Sequence, residues 1–159
     1  MKLILACTAV VLLLSAVELA RPMRRGRNSI EQIYRAANIT PVPEQMLKVS
    51  FGDLVVTPGM EICPVDAMEM PCIDFDYEPG CFYTFMVISP DWPFPDSAFL
   101  SPSILAMYVN LYGDSESGIV IDDSCEIATW IGPCPPPGSG SHRYLIYVYK
   151  QKNGMIDTT

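Results

Sequence analysis

His142 is the only histidine of the chain, and it stands in an unusual setting: Gly132-Pro-Cys-Pro-Pro-Pro-Gly-Ser-Gly-Ser-His-Arg-Tyr-Leu-Ile-Tyr-Val-Tyr149. An imidazole two residues ahead of the Tyr144 phenol, at the start of an apolar run, sends both groups to the same face of a strand, because side chains alternate. The prolines fix φ and remove N–H donors, which makes a stiff rim. Gly138 and Gly140 let backbone come close to a ligand or to another strand. The chemistry open to this set is anion binding. His142, once protonated, is a charged donor whose ordinary pKa near 6.5 makes it pH-sensitive. Tyr144 adds a hydroxyl, and backbone N–H groups around Gly138 and Gly140 can form a nest. The segment reads as one wall of a small polar pocket at the mouth of a β-fold. Arg143 is expected to pair with a carboxylate beneath the loop.

Catalysis is not expected. There is no second histidine to relay a proton and no Cys–His pair at a familiar spacing. A serine hydrolase needs a base and an oxyanion hole as well as a nucleophile, and Ser89 has no candidate base but His142. No cofactor motif is present. Cys63, Cys72 and Cys81 are nine residues apart, which is no zinc spacing, so no metal site is expected.

The elements that must position these groups follow from the rest of the chain. At 159 residues it makes one domain, and 50% hydrophobic against 18% charged residues argues against disorder. Residues 1–20, with Lys2, an apolar run from Leu3 to Val17 and small residues after it, read as a secretory signal peptide, too short for a transmembrane segment. Cleavage after Ala20 or after Ala16 remains open. A basic leader, 21–28, carries Arg21, Arg24, Arg25 and Arg27, and the domain occupies 29–159. From Asn28 onward five Lys/Arg face seventeen Asp/Glu, a balance of −12. That excludes nucleic acid as a partner, because phosphate binding needs a basic surface. Secretion into an oxidising compartment makes Cys63, Cys72, Cys81, Cys125 and Cys134 candidates for disulfide bonds, with one left over. Asn38-Ile-Thr40 is a glycosylation sequon, as in a glycoprotein.

Ser29-Ile-Glu-Gln32 is a capping box, and Ile30, Ile33, Tyr34 and Ala37 recur at helical spacing, which predicts one short helix over 29–38 that ends before Pro41. Strands follow. Leu47, Val49 and Phe51 alternate with polar residues, as do Ile73, Phe75 and Tyr77 with Asp74 and Asp76. Glu78-Pro-Gly80 is a turn. Phe82–Ile88 is apolar on both faces, the mark of a central strand, and Leu105–Tyr112 is similar. Shorter strands are expected over Ile119–Ile121 and Ile127–Ile131, and a final one over Tyr144–Tyr149. With 15 prolines punctuating the gaps, the fold class is all-β, an antiparallel β-sandwich or barrel. An immunoglobulin frame is set aside, because Asp123 and not Tyr lies two residues before Cys125.

Three blocks together resemble the phosphatidylethanolamine-binding protein family, which includes the Raf kinase inhibitor proteins. The first runs from Asp76 to Pro93 and is similar to the family's strand and Asp-Pro-Asp-x-Pro loop. The second is Met107-Tyr-Val-Asn-Leu-Tyr-Gly113, similar to a strand ending Val-Val-Asn-x-x-Gly. The third is the His142 segment, which resembles Tyr-x-Gly-Pro-x-Pro-Pro-x-Gly-x-His-Arg-Tyr. The resemblance spans Leu47 to Gln151. It implies a β-sandwich with a small pocket for an anion or phospholipid head group. The pocket residues would be Pro90, Asp91, Pro93, Gly132, Pro136, Gly140, His142 and Tyr144. Ser89 and Leu105 stand where the family has Asp and His, so the pocket is expected to be altered and more apolar, suited also to a small apolar ligand. The family continues past the Tyr-x-Gln segment with further strand and helix, so the expectation is that the pocket is open on that side, that another chain completes it, or that this is a truncated isoform. The reading is a secreted, non-catalytic lipid- or ligand-binding protein. The alternative is an extracellular protein-interaction protein, such as a protease inhibitor, with a vestigial pocket and a protein target.

Overall fold

The computed structural model describes residues 3–9, 43, 45–114, 118–120 and 126–158. The helix expected over 29–38, Asn38 and Cys125 lie outside them.

Two antiparallel sheets enclose one core. The strands in chain order are β1 (Leu3–Ala9), β2 (Lys48–Phe51), β3 (Leu54–Val56), β4 (Cys72–Asp74), β5 (Phe82–Ser89), β6 (Ser103–Asp114), β7 (Gly118–Val120), β8 (Glu126–Ala128) and β9 (Tyr144–Lys150). The larger sheet has the order β1-β9-β5-β6-β7, and β8 pairs with the middle of β6, at Met107 and Tyr108, on the same edge as β7. The smaller sheet is β3-β2-β4. A 3-10 turn, Pro64–Ala67, lies between β3 and β4. Among the described residues no helix is long and apolar enough to cross a membrane.

The apolar strands lie where their patterns require. β5, apolar on both faces, sits between β6 and β9, and Phe85 is fully buried. Phe75 is buried while Ile73 and Tyr77 pack against the same core and Asp74 and Asp76 face solvent, as the alternation predicts. β4 itself is short, so the ladder stops at Asp74 although the alternation continues. β3 was not anticipated: a two-residue turn at Gly52-Asp53 folds Leu54 back onto Phe51, and the strand is too short to show a period. Val49 and Val56 from the small sheet and Phe85, Val87, Leu105 and Ile146 from the large one meet in the shared core.

Two features of β6 explain the second sequence block. Tyr83 pairs with Leu111 and Phe85 with Tyr108, so β6 carries one extra residue there, a β-bulge. Asn110 lies in it with φ of 60°, a left-handed conformation that Asn adopts more readily than most side chains. Gly113 is required by proximity. A Cβ there would lie 2.7 Å from Cδ2 of Tyr77 and 3.1 Å from the Glu78 carbonyl. The backbones of Gly113 and the 78–81 turn are hydrogen-bonded both ways, Gly80 N–H to Gly113 O at 2.9 Å and Gly113 N–H to Cys81 O at 3.1 Å.

Candidate binding site

A cavity of about 370 Å³ opens between the large sheet and the segment around the 3-10 turn. Its floor is strand: Val87 from β5, Leu105 from β6, and Tyr144 and Ile146 from β9, with His142 just ahead. His142, Tyr144 and Ile146 share this wall because the chain is already extended before β9 begins, so every second side chain turns the same way. The facing wall is Glu61, Ile62, Cys63, Pro64 and Ala67, with Phe51 from β2. Trp130, Pro133, Pro135, Gly140 and Ser141 form the lip.

Of the expected site residues, Leu105, Gly140, His142 and Tyr144 line this cavity. Ser89, Pro90, Asp91, Pro93, Gly132 and Pro136 do not; several of them brace it. Asp91 is 1% exposed and is gripped by Arg143. The guanidinium donates from Nη2 to Oδ1 at 2.6 Å and from Nε to both carboxylate oxygens at 3.1 and 3.0 Å, and the Arg143 backbone N–H donates to Oδ2 at 2.6 Å. Arg143 thus has the carboxylate partner expected of it. Ser89 is buried, and its Oγ accepts a long 3.4 Å bond from the Asp91 N–H. Ser101 Oγ donates to the Pro90 carbonyl at 2.6 Å and closes the loop that follows. The Trp92–Pro93 bond in that loop is cis, and the Trp92 ring meets the His142 ring edge-on at 6.3 Å. Gly132 lies against Met68, where a Cβ would come within 3.1 Å of the Met68 Cα. The Pro136 carbonyl accepts from the Ser139 N–H at 3.0 Å, and the turn that follows holds both Gly138 and Gly140 at φ near 80°. Those positive angles, more than close approach to a ligand, are why glycine is needed there.

Electrostatics changes what His142 can do. The residue is 2% exposed. Burial pulls its pKa below the ordinary 6.5, and the Asp91 charge opposes this only in part. The ring is therefore neutral at pH 7. Nε2 is 2.7 Å from Ser139 Oγ, and Nδ1 is buried with no hydrogen-bond partner. Tyr144 is pushed up to about 12, first by burial and then by nearby Cys134 and Asp91, so its hydroxyl keeps its proton. That hydroxyl makes no hydrogen bond among the described residues. On the lip, the Trp130 indole N–H donates to the Met68 carbonyl at 2.8 Å and its ring lies 6.2 Å from Phe51.

Most of the facing wall was not legible in the sequence. Residues 61–67 carry no periodicity, and nothing local marks them as partners of a strand some eighty residues on. Ile146 and Val87 could have been found by extending the period of two from Tyr144 and along β5. Cys63, Cys72, Cys81 and Cys134 carry free thiols in this structure. Among the described residues no group of three His, Cys, Asp or Glu gathers in a way that could hold a metal ion.

This fold is a β-sandwich with a proline-lipped cavity beside a His-Arg-Tyr strand. The phosphatidylethanolamine-binding protein family model matches residues 71–159, more than half of the chain, and the chain belongs to that family. It is 27% identical over 151 residues to "Putative odorant-binding protein A5" of Drosophila melanogaster, covering 91% of this chain and 69% of that one. It is 25% identical over 116 residues to "Protein MOTHER of FT and TFL1 homolog 2" of Oryza sativa subsp. japonica, covering 73% of this chain and 63% of that one. The chain thus spans about two thirds of the length of these relatives.

Proposed function

We propose that this protein is a secreted, non-catalytic carrier that holds one small molecule in the 370 Å³ cavity. The observation that carries the reading is the make-up of the wall. Phe51, Ile62, Val87, Leu105, Trp130 and Ile146 supply an apolar surface around a few polar groups, the usual composition of a ligand site. The volume falls within the several hundred Å³ typical of such sites. Leu105 replaces the imidazole that the family resemblance implies, so the pocket is altered toward apolar ligands. The name of the Drosophila melanogaster relative, "Putative odorant-binding protein A5", supports the same reading. A non-catalytic role agrees with the Ser139–His142 pair, whose Nδ1 meets no orienting acid, since Asp91 is taken by Arg143. Secretion rests on the leader, residues 1–20. Leu3–Ala9 is an edge strand paired to β9, and its removal leaves the β9-β5-β6 floor in place. The test is native mass spectrometry of protein collected from culture medium, with N-terminal sequencing. A bound small molecule released on mild denaturation, from a chain lacking its first 16 or 20 residues, supports the reading. An empty protein that also fails to take up an apolar fluorescent probe removes it.

A second reading, a protein-interaction role such as protease inhibition, is favoured by the loop after β5, where Phe94, Phe99 and Leu100 are exposed, Phe99 by 73%. Substituting Phe99 and Leu100 by Ser separates the two, since this leaves ligand uptake intact and removes inhibition.

A further inference from the structure

We infer that the ligand is an uncharged amphiphile, an apolar body with a single hydroxyl or carbonyl oxygen that accepts a hydrogen bond from Tyr144, and not an anion. The inference rests on the carrier reading above and specifies what that carrier takes. Three observations lead to it. First, among the described residues the cavity wall carries no lysine or arginine, and the one formally charged side chain there is Glu61, which repels an anion. Second, the cation nearest in sequence, Arg143, is committed to Asp91 through its side chain and its backbone N–H. Turning the guanidinium toward the cavity would strand a carboxylate that is 1% exposed. Third, His142 is not a charged donor. Its ring is buried and neutral, Nε2 is taken by Ser139 Oγ, and Nδ1 is sealed from solvent.

What the cavity does offer is neutral. Tyr144 lines it, and its hydroxyl has no hydrogen-bond partner among the described residues and, unlike Nδ1 of His142, is not sealed off. A phenol held in its protonated form is a donor for a neutral oxygen. It cannot balance the charge of a phosphate or carboxylate brought out of water, which is costly without a cation or a set of donors. Around it Leu105, Val87, Ile146 and Trp130 receive an alkyl or ring body.

The experiment is displacement of N-phenyl-1-naphthylamine from the purified protein at pH 7.5 by three molecules that share one tail: 1-decanol, decanoate and decyl phosphate. Decanol is expected to displace the probe at a concentration at least tenfold below that of either anion. Tyr144→Phe is expected to weaken decanol about two- to tenfold relative to the probe, the range for one neutral hydrogen bond. Decyl phosphate or decanoate binding as tightly as decanol overturns the inference and leaves the carrier reading standing. Equal decanol affinity in Tyr144→Phe overturns the role of Tyr144. If neither the probe nor any of the three binds, the carrier reading itself fails and the inference falls with it.

Discussion

Asn110 and Gln151, 41 residues apart, meet amide to amide: Gln151 Nε2 donates to Asn110 Oδ1 at 2.9 Å, and the Asn110 backbone N–H donates to Gln151 Oε1 at 2.9 Å. The pair reaches further. Asn110 Oδ1 also accepts from the Ile156 N–H at 2.7 Å, and its Nδ2 donates to the Ile156 carbonyl at 2.9 Å. Gln151 Nε2 donates to the Gly154 carbonyl at 2.8 Å, and Thr84 Oγ1 donates to Gln151 Oε1 at 3.1 Å. The bulge in β6 is what aims Asn110 at this segment. Two short motifs, one ending β6 and one following β9, therefore form a single joint that seats residues 151–156 on the sheet.

Replacing Asn110 tests both halves of this account. Asn110→Ala removes the side-chain bonds to Gln151 and Ile156 and places a Cβ residue at φ of 60° without local compensation, so a loss of about 2–4 kcal/mol is expected in urea unfolding. Asn110→Gly removes the same side-chain bonds but tolerates the angle, and should lose about 1 kcal/mol less. Equal losses would show that backbone strain plays no part.

Asp91 is expected to matter for stability more than for binding. Asp91→Ala leaves a guanidinium and a backbone N–H without their carboxylate. Because Arg143 is about a third exposed, the loss should fall below that of a fully buried pair, at about 2 kcal/mol. Ser89→Ala removes only a long 3.4 Å bond and should cost less than about 1 kcal/mol. Equal melting-temperature changes for the two variants would contradict the central place given to the Asp91–Arg143 clamp.

His142 makes stability depend on pH in a defined direction. Its folded pKa lies below the ordinary 6.5, so the unfolded chain takes up a proton that the folded one refuses. The contribution is whole above pH 6.5 and declines as pH falls below it, until the folded ring also protonates. Melting temperatures between pH 7.5 and 5.5 should drop more steeply for the native protein than for His142→Gln. Parallel curves would mean that the ring titrates freely.

Leu105→His tests what the altered position does. The side chain lines the cavity floor and is 7% exposed, so a loss of stability is expected along with a gain of imidazole donors facing the ligand. The ratio of decanol to decyl phosphate affinity, measured at pH 6, should shift toward the phosphate by about tenfold, the worth of one charge-assisted bond. An unchanged ratio would mean that position 105 does not set ligand polarity.

What was legible in the sequence was whatever lies along one strand. The alternation of Ile73, Phe75 and Tyr77, the two-sided burial of Phe82–Ser89 and the common face of His142 and Tyr144 all follow from the period of two. The partner of Arg143 was foreseen as a carboxylate because a guanidinium beneath a loop needs one. Contacts made across the fold left no such trace. Pro136 was expected on the cavity wall, yet Pro133 and Pro135 line it. The charge state of His142 could not be read from its neighbours in sequence, because it depends on burial by chain far from it.

Trp130 joins the lip of the cavity to the segment opposite through its bond to Met68, while the next N–H, that of Ile131, is fixed to the Leu105 carbonyl at 2.8 Å. One indole thus belongs to the cavity wall and to the latch between the two sides of the mouth. For the carrier proposed above, affinity and residence time are then expected to depend on different atoms of the same ring system. Trp130→Phe keeps an aromatic face and drops the latch, so stopped-flow release should quicken more than equilibrium binding weakens.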